Sequence, residues 1–336
     1  MAGIDRLILT GGPGERRIAL CEGDAVIEFR IDRFEPKAGD VLQGRILQRS
    51  KGMGAAFVEI GAALPGFLPR PEGRNEGDKV NVLVLAAARR DKGAKLQLTD
   101  EAPQRRSALD RIEFEIAEVL VADPSLLPEA RARYRQARLQ ADSWPADAFD
   151  AALARETPLP NGGRLIFDET AGAVVIDIDG GAMAPAEANK LALAEIARQV
   201  RLRSIAGHIL IDAIPAKNKS ALVKTAQAIL SDDLTQIVGI TKLGMLEVIR
   251  ERRQPSLSEW FLRPAEPRRT VDSLALEALR AAVHHPSLAP LALLAAPDII
   301  HYLQSRPDLL AETETRLGRK LALRARDGDG FEIGEI

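Results

Sequence analysis

Cysteine is almost absent. One residue, Cys21, among 336 leaves no internal disulfide and no cysteine zinc site within the chain. Histidine is scarce too: only His208, His284, His285 and His301 occur, which argues against histidine-rich metal chemistry. Net charge is nearly nil, at −2, so any site for a polyanion has to be local rather than a property of the whole surface. Met1 to Gly12 lacks the pattern of a signal peptide, and no apolar run reaches the roughly 18 residues that span a bilayer. The expectation is a cytoplasmic protein without a membrane. With 46% hydrophobic and 28% charged residues, the composition is that of a core-forming chain rather than a disordered tail.

Several kinds of segment follow one another. "DRLILT", "RRIALCEG" and "AVIEFRID" read as short strands separated by the turn-rich "GGPGE" and "EGD", as in a meander or hairpins. Residues 39–100 carry more short strands, with glycines about every ten residues and Val80, Val82 and Val84 alternating, which predicts a small barrel. Residues 103–155 read mostly as helix, with a start near Ser125 and Pro128 in its first turn. "ADSWPADAFD" reads as a loop or a further short helix. From 163 to 252 the pattern alternates. "GRLIFDE", "AVVIDID", "HILIDAI" and "TQIVGIT" read as strands; "APAEANKLALAEIARQVRLRSIAG", "SALVKTAQAIL" and "GMLEVIRER" read as helices. That succession predicts a largely parallel sheet with helices on its faces. "FLRPAEPRR" reads as a linker, and 271–336 as a small α/β appendage of helix, strand, helix, strand.

Two of these strands end on carboxylates: "AVVIDIDGGA" on Asp177 and Asp179, "HILIDAIP" on Asp212. A buried carboxylate is costly unless paired or bound to a cation. Functional groups in open α/β sheets gather outside the carboxyl ends of strands, and neighbouring strands lie about 4.8 Å apart. Adjacent strands would bring the carboxylates into one small volume. Oxygen-rich, histidine-poor clusters suit Mg²⁺ or Mn²⁺. A purely structural reading, with the aspartates capping the following helices, competes with this. His208 opens a strand and reads as non-catalytic.

In a chain with only 4% aromatics, Phe57 in "GAAFVEIG" and Phe67 in "LPGFLP" stand out within the barrel segment. Small OB barrels bind single strands by stacking bases on aromatic rings beside backbone-directed charge. Lys92, with Arg89, Arg90 and Lys95 near it, supplies charge of that kind. The competing reading is that both rings fill the barrel core.

Four stretches resemble one family. "DVLQGRILQRSKGMGAAFVEIGAALPGFLP" resembles the S1 domain of the ribonuclease E/G family, and "LPNGGRLIFDETAGAVVIDIDGG" its catalytic strand pair. "EIARQVRLRSIAGHILIDAI" resembles the continuation of that pair, and "GITKLGMLEVIRERRQPSL" the segment that closes the catalytic subdomain. The resemblance implies an α+β, multidomain chain: a shortened RNase H-like part at 1–36 and 101–160, and an inserted S1 (OB-fold) RNA-binding barrel at 37–100. A DNase I-like catalytic subdomain at 161–262 and a small C-terminal α/β domain at 263–336 complete it.

The resemblance further implies an endoribonuclease that hydrolyses single-stranded RNA to 5′-phosphate and 3′-hydroxyl ends, in RNA processing or decay. Asp177 and Asp212 match the magnesium-binding aspartates. Asp179 stands where the family usually has asparagine and is counted with the catalytic group. Phe57, Phe67 and Lys92 match the RNA-binding positions of the barrel. Arg201 and Arg203, with Arg250, Arg252 and Arg253, are candidates to neutralise phosphates. Three departures from the family shape the expectation. The 5′-sensor segment after the barrel is missing, so 5′-end sensing is not expected. The cysteine motif that links protomers through zinc is also missing, so neither zinc nor a zinc-linked dimer is expected. The loop after Asp179 is short. The alternative reading is an RNA-binding or ribosome-maturation factor with lost or weak catalysis; a DNA or small phosphodiester hydrolase is a weaker third.

Overall fold

The computed structural model describes residues 6–33, 36–50, 52–62, 64–88, 92–104, 144–160, 162–215, 218–252, 254–264 and 266–336. The helix expected between Ser125 and Leu139 lies outside these residues. The chain divides into two compact units, residues 1–34, 123–146 and 260–336 in one, residues 35–122 and 147–259 in the other. No helix among the described residues is long and apolar enough to cross a membrane.

In the first unit, β1 (Arg6–Gly12), β2 (Glu15–Glu22) and β3 (Ala25–Arg33) form the antiparallel meander that the turn signals predict. Its C-terminal part is a three-stranded sheet. Strand β15 (Leu291–Ala295) lies between β16 (Leu321–Ala325), parallel to it, and β17 (Phe331–Glu335), antiparallel. Helices Val271–Val283, Pro297–Gln304 and Pro307–Leu317, here α5 to α7, close one core over it, with Leu276, Leu279, Leu291, Leu293, Ile299 and Leu303 buried. The last helix and last strand go beyond the four elements read from the sequence. The helix stops at Gly318, which takes φ 66° and so forms the left-handed cap that glycine adopts without strain.

The second unit holds the barrel. Strands β4 (Val41–Ser50), β5 (Ala55–Glu59), β6 (Gly66–Pro69), β7 (Lys79–Ala86) and β8 (Lys95–Leu98) close in the order β4-β5-β6-β8-β7, an OB-like barrel as expected. Alternation along each strand sends Val58, Leu68, Val80, Val82, Val84 and Leu96 inward.

The same unit holds a six-stranded sheet of order β13-β14-β12-β11-β10-β9. Its strands are β9 (Glu156–Pro158), β10 (Arg164–Glu169), β11 (Val174–Asp179), β12 (Gly207–Asp212), β13 (Thr235–Ile240) and β14 (Leu246–Arg250). Helix α1 (Ala146–Leu153) precedes it, α2 (Pro185–Leu202) and α3 (Lys219–Leu230) lie between its strands, and α4 (Leu257–Phe261) follows. The expected largely parallel sheet is corrected. Only β11 and β12 run parallel; every other neighbouring pair is antiparallel. β9, β10 and β11 are joined by turns too short for a crossover helix, and "GMLEVIRER", read as helix, folds as β14, where Leu246 and Val248 are buried and Ile249 is exposed. Five residues are too few to separate a period of two from one of 3.6. Helices α2 and α3 bury Leu193, Ile196, Val200, Leu222 and Ala226 against Ile176, Ile178, Ile209 and Ile211. The alternate residues of β11 and β12 therefore form the opposite face of the sheet.

Candidate active site

On β11 the residues Val174, Ile176 and Ile178 are buried, so period two turns Val175, Asp177 and Asp179 to the opposite face. On β12 the same rule buries Ile209 and Ile211 and turns out His208, Leu210 and Asp212. The parallel register pairs Ile176 with Ile211 and Asp177 with Asp212. A slip of one residue would drive both carboxylates into the apolar core, so burial of the isoleucines specifies the register that aligns the aspartates. Both carboxylates are exposed, and among the described residues neither accepts a hydrogen bond or joins an ion pair. The puzzle of two apolar strands ending on acids resolves simply: the acids are outside the core and uncompensated.

Neither aspartate caps a helix. Asn218 caps α3, accepting the Ala221 N–H at 3.0 Å, and α2 starts after Ala184 with no side-chain cap. The helix-capping explanation for Asp177 and Asp212 therefore fails. Asp179 differs from its neighbours. It accepts the Gly181 N–H at 3.1 Å and lies 3.5 Å from Arg164 Nε. Behind the strand ends, Asn189 of α2 is buried and clamps the chain just past Asp212: its Nδ2 donates to the Ile214 carbonyl at 2.8 Å, and its Oδ1 accepts the Ile214 N–H at 3.0 Å. A Cβ at Gly180 would come within 2.3 Å of Ile214 Cδ1 and 3.0 Å of Ala188 Cβ, so a larger residue there would have to displace the Ile214 side chain.

No group of three His, Cys, Asp or Glu side chains among the described residues is placed to hold a metal. Mg²⁺ does not need one: it commonly takes one or two carboxylates, keeps several waters and completes its shell with substrate phosphate. The adjacent pair Asp177 and Asp212 fits that requirement.

Among the basic candidates, Arg203 is a correction. It is 6% exposed. Nε donates to Gln199 at 2.6 Å, Nη1 to the Ala154 carbonyl at 2.6 Å and Nη2 to Thr157 at 2.7 Å, and the guanidinium lies over Phe167. Burial lowers its pKa to about 10, so it remains a cation at neutral pH. It ties the end of α2 to α1 and β9 and has no reach to a phosphate. Arg201 is half-buried in the last turn of α2. Arg250 bonds Asp232 and Thr235, and Arg252 bonds Glu259 at 2.5 Å. Arg89, Arg90 and Arg253 lie outside the described residues.

On the barrel, Phe57 and Phe67 are directly opposite each other across β5 and β6. Their centroids are 6.0 Å apart with the rings edge to face, and both are half-buried while Ala56, Val58 and Leu68 fill the core. The core-filling reading of the two rings is thus excluded. Lys95 pairs with Phe67 from β8, and Lys92 is exposed. Sequence reasoning did not single out Arg164 or Asn189. Arg164 is revealed only by the antiparallel register opposite Asp179, and Asn189 only by the packing of α2 against the chain beyond β12.

Residues 92–253 match the ribonuclease E/G family model. Ribonuclease E of Escherichia coli K12 is 30% identical over 183 residues, covering 46% of this chain and 17% of that protein. Ribonuclease G of Salmonella typhimurium is 30% identical over 193 residues, covering 51% of this chain and 40% of the relative. Ribonuclease E of Synechocystis is 34% identical over 126 residues, covering 34% of this chain and 19% of the relative. The chain thus matches less than half the length of each of these proteins. Asp177, Asp179 and Asp212 all lie within the segment that matches the ribonuclease E/G family model.

Proposed function

We propose that this chain is a metal-dependent endoribonuclease that cuts single-stranded RNA by hydrolysis, leaving 5′-phosphate and 3′-hydroxyl ends, in the cytoplasm. The observation that carries the reading is the register that sets Asp177 beside Asp212 on an open sheet face. The names of the relatives, ribonucleases E and G, support RNA as the substrate class. Asp177 and Asp212 would hold Mg²⁺ or Mn²⁺. The chemistry supplied there is activation of a water and neutralisation of charge on the scissile phosphate. The two aspartates contribute placement: fixed on adjacent strands over a packed core, they reorganise little during the reaction. Phe57 and Phe67 offer outward rings for base stacking, and Lys92 and Lys95 offer backbone charge beside them. Recognition then depends on the interior of the strand and not on a 5′-monophosphate.

The test is cleavage of labelled single-stranded RNA and DNA with Mg²⁺, with Mn²⁺ and with EDTA. Metal-dependent cutting of RNA with 5′-phosphate products is expected. Undiminished activity in EDTA would overturn the mechanism, preferential cutting of DNA the substrate, and tight RNA binding without cutting would leave an RNA-binding factor.

A further inference from the structure

Arg164 and Asp179 form the next rung of the open face beyond Asp177. Strand β10 runs antiparallel to β11, with Arg164 directly opposite Asp179 and Ile166 opposite Asp177. Residues so opposed present their side chains on one face, and diagonal neighbours such as Arg164 and Asp177 lie about 7–8 Å apart, within reach of a long side chain. Both oxygens of Asp179 are engaged. Oδ1 accepts the Gly181 N–H at 3.1 Å, and Oδ2 faces Arg164 Nε at 3.5 Å. The carboxylate is thus turned toward β10 and its own turn, consistent with the absence of any three-carboxylate group among the described residues.

Arg164 is held from its other side as well. Nη1 donates to Glu156 of β9 at 3.3 Å. Nη2 has no hydrogen-bond partner among the described residues, and the side chain is 51% exposed. A guanidinium clamped between two carboxylates therefore offers one edge outward, a single rung from Asp177. Planar N–H donors of this kind suit phosphate oxygens. The charge balance points the same way. Asp177, Asp179 and Asp212 put three negative charges on one face that, on the reading above, must accept a polyanion. Glu156, which shares Arg164, adds a fourth on the same face; a divalent ion offsets two of the four and Arg164 a third.

We infer that Arg164 is a phosphate-positioning residue of this site, and that Asp179 orients Arg164 rather than serving as a metal ligand. This rests on the ribonuclease reading. Three variants of the full chain test it: Arg164→Ala, Asp179→Asn and the double variant. Affinity for a fluorescent single-stranded RNA is measured by anisotropy in EDTA, kcat and KM are measured with Mg²⁺, and melting temperature is followed alongside. Arg164→Ala should weaken metal-free RNA affinity about tenfold and raise KM, because a phosphate contact is lost and an uncompensated carboxylate is left behind. The double variant should recover only the share due to the stranded carboxylate and stay weaker than the parent, because the phosphate contact remains lost. In a Mg²⁺ titration, Asp179→Asn should leave the Mg²⁺ concentration for half-maximal cleavage unchanged, whereas loss of a metal ligand would raise it. Melting should be unchanged throughout.

A dead Asp179→Asn variant of a parent that cuts RNA would overturn this inference and leave the ribonuclease reading standing. So would a double variant that regains the parent's affinity, or an affinity loss that tracks a fall in melting temperature. A parent that fails to bind RNA at all would overturn the ribonuclease reading, and this inference with it. For a chain that binds RNA without cutting it, the affinity measurements decide the point.

Discussion

Two sets of strand-borne carboxylates treat charge in opposite ways. In the first unit, Glu15 at the start of β2 is fully buried. It accepts from Arg17 Nε at 2.6 Å, from Arg33 Nε at 2.7 Å and from Arg280 Nη2 at 2.7 Å. Arg33 extends the network to Asp272 at 2.7 Å and to the Trp260 carbonyl, and stacks with Arg17 and Arg269 around Phe261. Burial by itself raises the Glu15 pKa, but the three arginines outweigh it and hold the carboxyl at about 2. Asp177 and Asp212 in the second unit are exposed, parallel and without a described cation. The difference teaches which acids are available. Glu15 has spent its acceptor capacity on holding β2, β3 and α5 together, while the aspartate pair keeps its capacity for something from outside.

That contrast can be broken most forcefully at Glu15. Glu15→Gln leaves buried Arg17 and Arg33 and half-buried Arg280 short of a counter-charge and should cost about 3–5 kcal/mol of stability, read as a drop in denaturation midpoint. Asp177→Asn and Asp212→Asn should do the reverse. Cleavage should fall about a hundredfold or more, while melting stays level or rises because two like charges no longer face each other. Equal thermal losses in the two sets of variants would erase the distinction. Acid titration sharpens it further. The folded pKa of Glu15, about 2, lies below its ordinary value of 4.5. Its contribution is therefore complete above pH 4.5 and is lost as pH falls toward 2, worth roughly 3 kcal/mol in all. Denaturation of the parent and Glu15→Gln chains across that window should converge at the acid end.

Smaller effects belong to the barrel. Phe57→Ala or Phe67→Ala should weaken RNA binding by roughly 1–3 kcal/mol each. Their thermal cost should stay below the 3–5 kcal/mol or so of a fully buried phenylalanine. A full-sized stability loss with unchanged affinity would refute the stacking role. The smallest difference is expected between RNA ends. The 5′-hydroxyl, 5′-triphosphate and 5′-monophosphate forms of one RNA should be cut at similar rates and a circular RNA also cut; a tenfold preference for the monophosphate, about 1.4 kcal/mol, would show that the end is read.

Local pattern carried much of this molecule. Apolar runs marked β11 and β12 and set the aspartates at their ends, the i, i+3, i+4 stripe through Leu193, Ile196 and Val200 marked α2, and regular turns marked the barrel. These features depend on one strand or helix having a wet and a dry face, which a single segment records in its own residues. The five-residue β14 escaped, because a short apolar alternation satisfies both periods. Partnership was decided elsewhere. No local pattern distinguishes Arg201, half-buried, from Arg203, enclosed by Gln199, Ala154, Thr157 and Phe167. None says that Phe57 and Phe67 face outward as a pair, or that Arg164 lies opposite Asp179. The alignment of Asp177 with Asp212 required two strands, separated by the whole of α2, to settle in one register. The apolar residues between the acids set that register, because any other would bury charge.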